Sequence, residues 1–177
     1  IAFGVLLFLF QPIVDLDRGA VGGFEAPSRE RAADGAVRSA GALMDELERD
    51  PEQQYAVIRR VLDSIRREIV PIFEARPAFY VSVNIPPGAL GSGRIGPMLA
   101  EIGLNPWLSR IVVEITERQA LSDLGRGAID AARALGITVA LDDFGTGHSG
   151  LSQFVGLDLD VLKIDRSLLL PVLANRT

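Results

Sequence analysis

The chain reads as an α/β protein built on a mostly parallel sheet, and three features of its sequence predict this. Short runs such as "ITVAL" and "RIVVEI" are apolar along their whole length, as strands buried on both faces must be. Segments with apolar residues at helical spacing separate those runs. Finally, several runs end on polar residues in the same sense, and the carboxyl ends of parallel strands are where such folds bind ligands.

In chain order, the opening "IAFGVLLFLF" is ten apolar residues. That is too short for a bilayer crossing of about 20 residues, and it lacks the flanks of a secretory signal. A buried strand is expected; the tail of a membrane helix is the competing reading. "PIVDLDRGAVGGFEA" follows, with Asp17, Arg18 and Gly19 as a turn between two extended pieces. Residues 28–50 are irregular, polar and then weakly helical, and are expected as a surface excursion.

Asp50, Pro51 and Gln53 supply a cap, a first-turn proline and a reciprocal capping candidate. Val57, Ile58, Val61, Leu62, Ile65 and Ile69 then keep a helical period, which Pro71 is expected to end. "FYVSVNI" is a strand. One helix carrying Leu90, Ile95, Met98, Leu99 and Ile102, closed by Gly103, comes next. "RIVVEIT" is a strand, and Ser122 caps a helix carrying Leu124, Ala128, Ile129, Ala132 and Leu135 that Gly136 closes. "ITVALDD" and "LDVLKID" complete the strands.

Composition narrows the chemistry. At 177 residues, 48% apolar and 23% charged, the chain suits one globular domain. With no cysteine and only His148, thiolate and multi-histidine metal sites are excluded, so any metal needs oxygen ligands, as magnesium or manganese do. A cysteine-free chain fits a reducing compartment, and a cytoplasmic location, or the cytoplasmic part of a membrane-bound protein, is expected. The net charge of −5 argues against a nucleic-acid polymer as partner. Of 18 basic residues, Lys163 alone is a lysine.

The polar strand ends form a constellation. Glu25 ends "VGGFEA", Asn84 ends "YVSVN", Glu114 lies late in "IVVEI", Asp142 and Asp143 end "ITVALDD", and Lys163 with Asp165 ends "DVLKID". Glu25, Asn84, Glu114 and Asp142 would converge as an oxygen-only ligand set. Two adjacent aspartates repel each other unless a cation uses them. Each residue also has a plain structural reading. Asn84 could cap a turn, Glu114 could pair with Arg110 or Arg118, and the aspartates could be turn residues beside Gly145 and Gly147. Lys163 could simply extend from its strand end into solvent.

"FQPIVDLDRGAVGGFEA", "VSVNIPPGAL", "VVEITERQAL", "VALDDFGTGHSGLSQF" and "DLDVLKIDRSLL" together resemble, in order and spacing, the EAL domain family of cyclic di-GMP phosphodiesterases. The resemblance implies a TIM-type (β/α)8 barrel over residues 1–177, incomplete, with about six of eight strands. It implies metal-ligand roles for Glu25, Asn84, Glu114 and Asp142, with Asp143 on a second metal. By the same resemblance Lys163 positions the attacking water or offsets transition-state charge, and Glu117 holds the glycine-rich loop after Asp143. Gln11 and Arg29 match positions that contact the dinucleotide. The implied reaction is hydrolysis of cyclic di-GMP to the linear dinucleotide by two Mg2+ or Mn2+ ions.

Three departures set expectations against that pattern. Pro27 stands where the family has leucine, so the second strand is expected to stop at Ala26 and to displace Glu25 or Arg29. The stretch after Arg29 is rearranged. The last two strand–helix units, with a late metal-site glutamate, lie outside "VLANRT", so a further segment, a partner or strand exchange is expected to close the barrel. Little or no activity is therefore expected of these residues alone. A catalytically degenerate receptor or protein-interaction scaffold is the alternative. His148 replaces a loop tyrosine as a mild variation, with a catalytic base as the sharper reading. The resemblance also implies a homodimer through residues 144–155 and upstream sensor or cyclase domains.

Overall fold

The computed structural model of the chain describes residues 6–31, 36–40, 50–146 and 150–174, the last four by backbone alone. Its main sheet has six strands in the order β2 (Gln11–Asp15), β3 (Ala20–Glu25), β6 (Tyr80–Asn84), β7 (Ile111–Thr116), β8 (Thr138–Phe144) and β9 (Val161–Ile164). From β3 to β9 every pairing is parallel; β2 alone runs antiparallel, as the hairpin partner of β3. The hairpin turns where expected, with Asp15 accepting from the backbone N–H of Asp17 and Arg18 and Gly19 at φ +60°.

The opening apolar run does not join that sheet. Its described residues form β1 (Leu6–Phe8), which pairs antiparallel with β4 (Ser28–Arg31), which pairs in turn with β5 (Val37–Ser39). Leu6 is buried against Ala40 and Val57, Phe8 and Phe10 pack against the main core, and Leu9 is exposed. The irregular stretch after Arg29 is thus partly extended; residues 32–35 and 41–49, like His148 and Ile1–Val5, lie outside the described residues.

Helices cover the sheet. α1 (Pro51–Ser64) starts as the sequence predicts: Asp50 accepts from the backbone N–H of Glu52 and Gln53. The Gln53 side chain donates to the Asp50 carboxylate at 2.6 Å, which makes the reciprocal contact side chain to side chain. α1 buries Tyr55, Val57, Ile58, Val61 and Leu62.

Pro71 does not end this helix. A π-helical turn, Ile65–Ile69, carries the chain into α2 (Val70–Ala75), with the Val70 N–H bonded to the Ile65 carbonyl. Pro71 then sits in the first turn of α2, where its missing N–H and its ring are tolerated. Ile65, Ile69, Val70 and Phe73 stay buried throughout. Packing of that apolar stripe holds the helix together across the proline.

The single helix expected around Leu90 is two, α3 (Pro87–Leu90) and α4 (Ile95–Ile102), with Gly93 at φ +77° in the break and Gly103 at φ +80° closing α4. After β7 comes the short α5 (Glu117–Ala120) and then α6 (Asp123–Ala134), where Ser122 accepts from the Gly125 N–H. Ala128, Ile129 and Ala132 are buried as expected, but Leu124 is 70% exposed. Asp160 ties α6 to β8 by accepting from the Val139 N–H at 2.8 Å and pairing with Arg133. α7 (Arg166–Ala174) follows β9. Among the described residues, no helix is long and apolar enough to cross a membrane.

Candidate active site

Strand register builds the site. In the parallel ladder Glu25 lies opposite Ser82, Asn84 opposite Glu114, and Thr116 opposite Asp142. Alternate residues of a strand share a face, so Glu25, Ser82, Asn84, Glu114 and Asp142 are delivered to one side of the sheet near the strands' carboxyl ends. β9 adds Lys163 to the same group.

At the β8–β9 pairing the register shifts: Leu141 faces Leu162 and Phe144 faces Ile164. Asp142 and Asp143 together therefore oppose the single residue Lys163, which is a β-bulge. Asp143 takes the left-handed backbone at φ +57°, a conformation that costs a non-glycine residue free energy. The adjacent aspartates are accommodated because the bulge turns the first toward a cation and the second outward.

That cation is the Lys163 ammonium. Its Nζ lies 2.6 Å from Glu114, 3.0 Å from Asp142 and 3.4 Å from Glu25. Asn84 Nδ2 donates to the other Glu114 oxygen at 3.1 Å, so Oδ1 is the amide atom that remains to face a cation. The Glu114 side chain has no solvent exposure at all. Burial pushes its carboxyl above the ordinary glutamate value, and the hydrogen bond and charge of Lys163 pull it back. For Lys163, burial alone would pull the ammonium down; the hydrogen bonds and charges of Glu114 and then Asp142 outweigh it and hold the group above the usual lysine range. Three carboxylates thus share one permanently charged partner. Desolvation of Asp143 raises its carboxyl, and the charges of Asp142 and Asp165 add to that.

The plain structural readings of Glu114, Lys163 and Asn84 give way to this geometry, whereas Asp143 does open a turn, its carbonyl accepting from the Thr146 N–H at 3.2 Å beside Gly145. Glu114 pairs with Lys163, while Arg110 instead donates to the Phe73 carbonyl at 2.6 Å and lies over the Phe73 and Trp107 rings. Lys163 is drawn inward, not out to solvent. Asn84 does not cap α3, whose N-terminus has no side-chain cap.

Pro27 displaces only part of the pattern. β3 ends at Glu25, the Ala26 N–H still reaches the Ser82 carbonyl at 2.9 Å, and Glu25 stays within reach of Lys163. Arg29 is carried into the small sheet, paired with Leu7 and Ser39. Gln11 is the register partner of Glu25 across the hairpin and is exposed.

Glu117, buried in α5, accepts from the Gly145 N–H at 3.2 Å, which ties the loop after the bulge to the end of β7. Gly145 is at φ +100°, and a Cβ there would lie 2.0 Å from the Leu168 side chain. Two residues escaped the reading of the sequence, Ser82 and Tyr80. Both share the phase of Asn84 in "YVSVN", and that period of two was the available signal.

The donor set suits a hard divalent cation: carboxylate and amide oxygens from four adjacent strands, already gathered around positive charge. Among the described residues no group of three or more carboxylate or histidine side chains stands in metal-holding geometry as placed, because the Lys163 ammonium sits between them. In donor chemistry the oxygens fit such an ion, and in this arrangement Lys163 occupies the centre of the cluster.

Comparison with known proteins agrees with this architecture. A family model described as the EAL domain matches residues 3–177. The probable cyclic di-GMP phosphodiesterase PdeB of Escherichia coli (strain K12) is 31% identical over 163 residues, which cover 89% of this chain and 31% of PdeB. The probable cyclic di-GMP phosphodiesterase PdeG of the same organism is 28% identical over 174 residues, 93% of this chain and 33% of PdeG. The chain therefore spans about a third of the length of these relatives.

Among solved structures, a PaMucR phosphodiesterase in complex with c-di-GMP superposes with a TM-score of 0.77 at 25% identity, covering 96% of this chain and 70% of that one. A calcium and cy-diGMP complex of Klebsiella pneumoniae BlrP1 gives 0.75 at 25% identity, over 94% of this chain and 42% of that one.

Proposed function

This chain belongs to the EAL domain family, and from that premise we propose that it is the catalytic domain of a cyclic di-GMP phosphodiesterase that opens the cyclic dinucleotide to its linear form. The observation that carries the proposal is the convergence of Glu114, Asp142 and Glu25 on Lys163, with Asn84 fixed against Glu114. Mg2+ or Mn2+ would be held by Glu25, Asn84, Glu114 and Asp142, with Asp143 serving a second ion. Bound there, such ions supply Lewis acidity toward the phosphate and lower the pKa of water.

The rest of the work falls to the chain's own groups. Lys163 is held protonated, so it is a donor and a fixed positive charge, not a proton acceptor. Its role is to orient the attacking water and to offset charge on the phosphate as the new O–P bond forms and the bond to the 3′-oxygen breaks, that oxygen leaving with the water's proton. Gln11, the register partner of Glu25, and Arg29, carried on β4 of the small sheet, would contact the dinucleotide. Glu117 and Gly145 hold the loop that follows Asp143.

The BlrP1 complex with calcium and cy-diGMP supports a divalent ion at such a site. Leu151 and Val155, 61% and 81% exposed, support pairing of two copies through residues 144–155. The third of PdeB's length spanned here leaves room for upstream sensor or cyclase domains, and a cysteine-free chain suits the cytoplasm.

The test is turnover of cyclic di-GMP with Mn2+ followed by mass spectrometry. A chain extended through the closing strands should yield the linear dinucleotide, and Glu25→Ala or Lys163→Met should reduce the rate at least about 100-fold. No linear product from the extended chain would overturn the proposal. Pro27 and the rearranged stretch after it, drawn into the small sheet, favour a second reading, a catalytically degenerate receptor or protein-interaction scaffold. Calorimetry separates the two: nucleotide binding without turnover identifies a receptor, and no binding identifies a scaffold.

A further inference from the structure

Ser82 is 2% exposed, and its Oγ is the one buried side-chain polar atom among the described residues with no hydrogen-bond partner. A buried hydroxyl left unpaired costs free energy, and native cores rarely keep one. Apolar neighbours on β6, Val81 and Val83, point the other way into the core. Nothing in the packing of β6 requires a hydroxyl at position 82.

Its surroundings give it a use. Across the β3–β6 pairing, Ser82 lies directly opposite Glu25. Across the β6–β7 pairing its partner is Val112, so it is the diagonal neighbour of Glu114, one step below Asn84. Such diagonal neighbours sit about 7–8 Å apart at the backbone, near enough for a long side chain to bridge. The hydroxyl therefore lies at the floor of the carboxylate cluster, outside hydrogen-bond geometry but near enough to Glu114 to pull its carboxyl down, while both Glu114 oxygens are engaged from above, one by Lys163 and one by Asn84.

We propose that Ser82 is a positioning residue for Glu114: when a divalent cation displaces Lys163 from the cluster, the Ser82 hydroxyl donates to the Glu114 carboxylate and holds it in its ligating orientation. The inference rests on the cation reading given above. Its logic is that of outer-shell support, where a donor behind a ligating carboxylate fixes its orientation. Ser82 touches neither ion nor substrate in this scheme; it acts through Glu114. A hydroxyl that only leans toward Glu114 in the ion-free chain is then a group that completes its hydrogen bond on loading.

Manganese titration by calorimetry, with thermal unfolding in parallel, tests this on the 177-residue chain. Wild type should bind Mn2+, and Ser82→Ala should weaken binding about 10–100-fold, as loss of an outer-shell partner does. Its ion-free melting temperature should not fall, because the hydroxyl removed has no partner to lose. Ser82→Thr, which keeps the hydroxyl, should stay within about threefold of wild type, a rescue that a role in packing alone would not give. Wild-type affinity in Ser82→Ala, or equal weakening in both variants, would overturn the proposal while leaving the cation site standing. Failure of the wild type to take up manganese would overturn the cation reading and this inference with it.

Discussion

Gly145 shows how much one residue carries at this site. It combines φ +100° with a would-be Cβ 2.0 Å from Leu168, and its N–H is the donor that Glu117 accepts. An L side chain there is strained by the backbone and blocked by α7 at once. Gly145→Ala is expected to lower stability by about 1–3 kcal/mol in denaturant unfolding. A variant as stable as the wild type would show that the loop after the bulge is not held as described. Asp143 makes the complementary case. It accepts a left-handed backbone without being glycine, because the bulge opposite Lys163 requires two residues where the partner strand has one. Both aspartates were visible in the sequence as a puzzle of adjacent like charges. The bulge that resolves it depends on the pairing with β9, which no local pattern encodes.

At the scale of an element, α6 offers a contrast between two glycines two residues apart. Gly125 lies in its first turn against α5, and a Cβ there would come 1.9 Å from the Gln119 carbonyl oxygen. Gly127 is exposed on the same helix, and a Cβ there would meet nothing within 4 Å. Alanine ordinarily favours a helix over glycine by up to about 1 kcal/mol. Gly127→Ala should therefore stabilise the chain by about 0.5–1 kcal/mol. Gly125→Ala should destabilise it by about 1–3 kcal/mol, since backbone must move to admit the methyl. Thermal unfolding of the pair checks both signs, and a shift in the same direction would contradict the packing of α5 on α6. Helix caps at Asp50 and Ser122 were legible because they are local chemistry between a side chain and the next N–H groups. The passage of the helix across Pro71 was not, since it takes the burial of Ile65, Ile69 and Phe73 against other elements to hold a π-turn there.

For the molecule as a whole, the feature with a testable consequence is the six-stranded sheet of the described residues. β9 is an edge of the six-stranded sheet, and Leu162 and Ile164 on it are 42% and 50% exposed. Unpaired edges with apolar side chains template association. Sedimentation of the 177-residue chain is expected to show concentration-dependent association that Leu162→Glu reduces. A monomer at all concentrations, with the variant no different, would argue that the edge is not sticky.

The sequence by itself determined the strands, their polar carboxyl ends and the family. Main-sheet strands and their polar ends rest on composition within a few residues, since apolar β-branched runs are buried on both faces and a polar residue ending such a run emerges at a rim. The family rests on the order and spacing of five motifs along the chain. Tertiary structure alone decided that Lys163 stands among Glu114, Asp142 and Glu25. It also decided that the first apolar run leaves the main sheet, and that Ser82 waits unpaired beneath the cluster. These outcomes depend on register and on side chains far apart in sequence competing for the same space and the same charge, and that competition exists only once the strands are side by side.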